Sequence, residues 1–154
     1  MESDRIIGYA LLFEEIMETG LVHGHKGLAY LMFVLALVNV VMTLMPNRNT
    51  PTMAKIINVV HSIVVNLGRL MLIVGMSIWI FKWSQVTVLN MWWAWSALLL
   101  WGPIEVVSKR LVKPEVTYMM DGGQSTNKLT IGVIIELLVI AVIFGLMSAQ
   151  GLRS

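Results

Sequence analysis

Residues 54–82 read AKIINVVHSIVVNLGRLMLIVGMSIWIFK. Between Lys55 and Lys82 the stretch carries one full charge, Arg69, set within LGRLMLIVG. A helix crosses the bilayer hydrocarbon with about 20 apolar residues, so this stretch predicts a membrane span, long enough to tilt or protrude. Asn58, Ser62, Asn66 and Arg69 recur at i, i+4, i+8 and i+11 and form one polar stripe, with His61 beside it. An Arg at this depth costs at least a few kcal/mol and cannot be neutralised. It is therefore expected to face protein and to find an anion.

Working outward, three further apolar stretches predict helices over about 21–45, 86–110 and 129–149. The first stops at Met45-Pro46-Asn47-Arg48-Asn49. The third contains Gly102-Pro103, the signal of a kink. A polar loop over 111–128, with Asp121-Gly122-Gly123-Gln124-Ser125 as its flexible part, leads to the last. The expected fold is all-α: a polytopic membrane protein whose residues 21–154 form four transmembrane helices in an antiparallel bundle. Residues 1–20 precede it as a short amphipathic surface helix. Ile6, Ala10, Phe13 and Met17 recur at helical spacing there, and Glu14, Glu15 and Glu18 lie mostly elsewhere. Surface helices that bind lipid usually have a basic polar face. This acidic face suits a protein partner better.

Composition agrees. The chain has 154 residues, of which 57% are hydrophobic and 13% charged. Soluble domains carry roughly 25% charged residues, so too few charges are present to cover a water-facing surface. Four spans and short loops leave no room for a soluble catalytic domain. The chain has no cysteine, which excludes disulfides, thiolate metal sites and covalent c-type haem. The acidic N-terminus lacks the basic region of a signal peptide. A net charge of +2 gives no reason to expect nucleic-acid binding.

Let the side holding the N-terminus be side A. Side B then carries Arg48, Lys55, Lys109, Arg110, Lys113 and Lys128, six cations against four on side A (Arg5, Lys26, Lys82 and Arg153). The positive-inside rule places side B in the cytoplasm of a bacterial inner membrane and both termini outside. Trp79, Trp83, Trp92, Trp93 and Trp95 crowd the side A interface as an aromatic belt.

Glu136 is the expected partner of Arg69. It lies about 11 Å into the last helix from side B, and Arg69 lies roughly 5–10 Å deeper on the same count. Such a pair suits a proton path or an anion or quinone site, or simply orients two helices. Glu105 and His61 fall in the side B half near Glu136, where three titratable groups could pass protons. In the first helix His25, Ala29, Met32, Ala36, Asn39 and Thr43 form a stripe that permits close packing, and Asn39 can hydrogen-bond across the bundle near Arg69. His25 and His61 are candidate haem ligands. Each starts its own helix on opposite sides of an antiparallel pair, which argues against one haem held by both. His23-Gly24-His25 is too small a set to predict a metal site.

The four-helix pattern, the His at the start of the first helix and the segment WWAWSALLLWGPIEVVSKRLVKP ahead of the final helix resemble the small bacterial membrane proteins of the HemJ, CopD and SirB-like type. In that group the third helix also ends in a basic run, as Lys109-Arg110 does here. The resemblance implies b-type haem, with His25 and His61 as the positions that map. The group's HemJ type also uses Lys, and no Lys lies mid-membrane here.

Three functions are therefore open. The first is a non-catalytic integral membrane subunit of a larger respiratory or transport complex, docked through Glu14, Glu15 and Glu18. The second is a haem- or porphyrin-binding membrane oxidoreductase. The third is a small proton channel or transporter built on Arg69 and Glu136, with Asn39, Asn66, His61 and Glu105 around them.

Overall fold

A computed structural model describes residues 2–82 and 92–151. Five α-helices follow in order: α1 (Glu2–Leu44), α2 (Pro51–Lys82), α3 (Trp92–Val107), α4 (Lys113–Met120) and α5 (Asn127–Gly151). A π-helical turn, Ser108–Val112, joins α3 to α4 without a break, so these three segments form one rod. No strand occurs among the described residues. Three helices are long and apolar enough to cross a membrane: Thr19–Leu44 of α1, Pro51–Ser77 of α2 and Asn127–Leu146 of α5.

The four rods close a ring. α1 packs on α2 and on α5; the α3–α4 rod packs on α5 and, chiefly through α4, on α2. Each rod buries residues three and four apart. The seams are Ala29, Met32, Ala36, Asn39 and Thr43 on α1, and Ile57, His61, Val64 and Met71 on α2. The third rod buries Ala97, Trp101, Ile104 and Ser108, and α5 buries Leu129, Val133, Glu136, Ile140 and Ile143. Alternating steps of three and four keep one face inward with the packing of a helical bundle. Leu99, Ile73, Leu138 and Val142 point outward.

Two expectations differ from the structure in extent. The surface helix over 1–20 and the first span from about 21 are one continuous helix, α1. No proline interrupts it, and single glycines such as Gly20 cost a helix only about 1 kcal/mol each. The side chains of Glu14, Glu15 and Glu18, and those of Trp79, Trp83, Trp92 and Trp93, lie outside the described residues. The loop expected over 111–128 is mostly helix. The rod runs to Met120 because the π turn absorbs Pro114, which has no N–H for an ordinary helical bond. Lys113 N–H instead reaches back to the Ser108 carbonyl.

The side B loops are tied down. Thr50 caps α2 by accepting from Met53 N–H at 3.2 Å, with Pro51 behind it as the first helical residue. Gly122, at φ 89°, closes α4: its N–H bonds the Met119 carbonyl and Gly123 N–H bonds the Tyr118 carbonyl. Arg48 donates to the Thr43 carbonyl at 2.9 Å and to Thr130 Oγ1 at 3.3 Å. That guanidinium holds α1 and α5 in register.

Candidate functional site

Helix α2 carries polar groups on two faces, and one residue of offset separates them. A step of one residue turns a helix by about 100°. His61 falls on the seam with Ile57, Val64 and Met71, so it is buried. Asn66 and Arg69 are exposed, with Asn58 and Ser62 half-buried above them.

The inner group joins three rods. His61 Nε2 lies 2.8 Å from Ser108 Oγ on the third rod, and Nδ1 lies 3.2 Å from Glu136 Oε2 on α5. The His61 and Glu136 side chains are 1% and 3% exposed. The second contact is close but lies off the direction of a ring N–H, so Nδ1 has no aligned hydrogen bond. Glu136 Oε1 and Asn39 Oδ1 are likewise buried without a hydrogen-bond partner. Thr43, one turn along from Asn39, bonds its own helix through the Val40 carbonyl.

The outer group spans α2 and α3. Arg69 Nε and the second terminal nitrogen donate to the two Glu105 carboxylate oxygens at 2.7 and 2.9 Å, a bidentate pair. A third donor reaches Asn66 Oδ1 at 3.2 Å. Lys109 adds its ammonium 3.6 Å from Glu105, one turn on. The Arg69 side chain is 46% exposed and that of Glu105 22%. Residue 64 is the middle of the Pro51–Ser77 span, so Arg69 sits roughly 7–8 Å from the middle of the helix.

The expected Arg69–Glu136 pairing is therefore corrected. Arg69 has an anion, but it is Glu105, and the pair lies on the outside of the bundle. Glu136 faces His61 instead. Asn39 is buried on its predicted stripe and does not contact Arg69 through any described hydrogen bond. Glu105 misses the inner cluster because the buried seam of its rod steps from Trp101 to Ile104 and Ser108, leaving position 105 one residue off. Ser108 was not among the expected site residues. Its signal was the seven-residue spacing from Trp101, visible once Ile104 is taken as the seam residue.

Gly68 sets the contact between α2 and α3. The Trp101 ring lies over it so closely that a Cβ there would meet Cη2 at 1.7 Å. Beside this contact is a small apolar crevice, partly open to the surface, lined by Met32, Met71, Leu72, Ala97 and Ile143.

A haem does not fit these residues. His25 lies level with Gly75, whose Cβ position is 3.5 Å from His25 Cε1. Gly75 is 14 residues from His61 on α2, about 21 Å along the helix, so the two imidazoles cannot share an iron. His61 already has Ser108 and Glu136 at its two nitrogens. His25 Nδ1 is buried without a partner, but it does not line the crevice, whose room of about 20 Å³ is far below the roughly 300–1,000 Å³ of cofactor clefts. His23 is exposed, with its Nδ1 2.8 Å from the Thr19 carbonyl. Among the described residues no group of three or more His, Asp or Glu is placed to hold a metal.

No protein family, curated protein or solved structure matches this chain.

Proposed function

We propose that this chain is a non-catalytic subunit of a larger assembly in a bacterial inner membrane, and that all four rods cross the bilayer. The observation that carries this reading is the half-exposed Arg69–Glu105–Asn66 group on the outer face of α2 and α3. Lipid hydrocarbon is a poor solvent for it. An Arg near mid-bilayer costs a few kcal/mol when it faces lipid, and such residues nearly always face protein or water. The bidentate bond to Glu105 also pins the guanidinium, so it is not free to reach up to the headgroups. Asn58 and Ser62 continue the polar line toward side B, which suits a neighbouring transmembrane helix that hydrogen-bonds along it. Lys109 gives the group a net charge of +1, so an acidic side chain on that helix completes it. The acidic residues Glu14, Glu15 and Glu18 are a second contact of opposite sign.

The absence of cysteine makes the test clean. Single cysteines replace Ser62 or Asn66 on the polar face, and Leu138 or Val142 on the lipid-facing side of α5. In native membranes the first pair is expected to cross-link to one product of discrete mass, and the second pair to give none. Equal labelling of both faces by a lipid-phase thiol reagent, with no cross-link, refutes the reading.

A further inference from the structure

The inner cluster has one polar atom too many on each side for a structural hydrogen-bond network. His61, Glu136 and Asn39 are each at most 2% exposed. Glu136 Oε1 and Asn39 Oδ1 are both acceptors, and neither has a donor. They belong to one level of one interface. Arg48 bonds both Thr43 and Thr130, so those residues sit side by side on antiparallel helices. Asn39 is four residues deeper than Thr43, about 6 Å, and Glu136 six residues deeper than Thr130, about 9 Å. Both lie on the buried seams of α1 and α5, which pack together.

Four protonation states are available to His61 and Glu136, and a protonated His61 beside a neutral Glu136 would leave a lone buried cation with no anion on it. Neutral His61 with ionised Glu136 leaves a net negative charge in the bundle with no cation on it. No Asp, Glu, His, Lys or Arg occurs between Lys26 and Arg48, where Tyr30 is the one titratable side chain, or between Lys128 and Glu136 or from there to Arg153. On the other two rods Arg69, Glu105 and Lys109 are committed to one another on the outer face, and Lys55, Arg110 and Lys113 are exposed. An imidazolium–carboxylate pair would draw into a short, aligned, charge-assisted bond, typically about 2.7–2.9 Å. The contact is 3.2 Å and off axis. Neutral His61 with neutral Glu136 remains.

We infer that Glu136 is held as a carboxylic acid and that this cluster is a proton-binding site inside the bundle. The proton sits on Oε1 and donates to Asn39 Oδ1, so one hydrogen satisfies both orphan acceptors. On the other side Ser108 Oγ–H donates to His61 Nε2, and Nδ1–H faces Glu136 Oε2. The chain Ser108–His61–Glu136–Asn39 then links the third rod, α2, α5 and α1 through a single bound proton. Its loss removes the donor to Asn39 and puts a bare carboxylate against three helices, so proton occupancy and the packing of α1 on α5 are linked. The site stands independently of the outer polar face and of any partner bound there.

The test uses the full chain in lipid nanodiscs at neutral pH. Infrared spectra are expected to show a carboxylic-acid C=O band that shifts on deuterium exchange, survives Glu105→Gln and vanishes in Glu136→Gln. Asn39→Leu is expected to move that band by removing its acceptor. Because Glu136→Gln could fail to fold, the unsubstituted protein labelled with ¹³C-Glu and ¹⁵N-His provides a second readout. One carboxylic-acid carbon and a neutral His61 bearing its proton on Nδ1 are expected. A wild-type spectrum with only carboxylate carbons overturns the inference, as would be seen if a water or a turned Asn39 amide served an ionised Glu136. Protons on both His61 nitrogens overturn it equally.

Discussion

Replacing Gly68 by alanine tests the contact on which the outer polar group depends. The new methyl would lie 1.7, 2.2 and 2.6 Å from three atoms of the Trp101 ring. Contacts of about 3.4 Å are ordinary, so the ring must retreat by about 1.7 Å. A rigid indole buried to 7% exposure cannot do this by bending. Either α2 and α3 move apart or Trp101 leaves its site. Overpacking a core usually costs about 1–3 kcal/mol, and losing a large aromatic from its site about 3–5 kcal/mol. We therefore expect Gly68→Ala to destabilise the protein by about 3 kcal/mol. It should also free Arg69 from Glu105, since Trp101 and Glu105 share one turn of α3. Reversible unfolding in mixed micelles, followed by near-UV circular dichroism, measures the first effect. Adding Trp101→Leu should recover much of the loss, because the smaller side chain clears the methyl. Gly145→Ala is the control: nothing beyond its own stretch of helix lies within 4 Å of its Cβ position, and alanine favours the helix by up to about 1 kcal/mol. A Gly68→Ala protein within about 0.5 kcal/mol of wild type would refute the described packing of α2 on α3.

The remaining predictions concern the cluster, the cofactor, the topology and the partner. Ser108→Ala leaves His61 Nε2 buried without a partner and should cost about 1–3 kcal/mol in the same unfolding assay; a neutral result would mean that the hydroxyl does not serve the imidazole. The purified protein should show no Soret band after haem is added in excess, and a band abolished by His25→Ala would reopen the haem reading. Reporter fusions at Ser154 should be active only outside the cytoplasm and fusions in the 121–126 loop only inside it, as the basic residues of side B require; the opposite pattern inverts the topology. Replacing Glu14, Glu15 and Glu18 together with lysine should weaken co-purification of partners without impairing membrane insertion, because opposite potentials favour docking while the spans insert on hydrophobicity. Unchanged partner yield would remove that segment from the interface.

The all-helical class and the seams were legible in the sequence because both are local. Apolarity over twenty residues announces a span wherever the helix ends up, and the repeat of three and four residues shows which side of it turns inward. The stripe from Ala29 to Thr43 on α1 is buried as its spacing predicts. The need of Arg69 for an anion was also readable, since the apolar residues around it in the sequence cannot satisfy a guanidinium. Which anion was not. Depth along a helix comes from counting residues, but the direction of a side chain around the axis changes by about 100° per residue, and the rotation of one helix against its neighbours is set by their packing. That rotation puts Arg69 and Glu105 outside, and His61 and Glu136 inside. Depth alone had matched Arg69 to Glu136. The π turn at Ser108–Val112 lay equally beyond local reading. It extends a rod through Pro114 that propensity would end, and it starts at the serine that meets His61. Only the assembled bundle decides such pairings, because each depends on two or three rods at once.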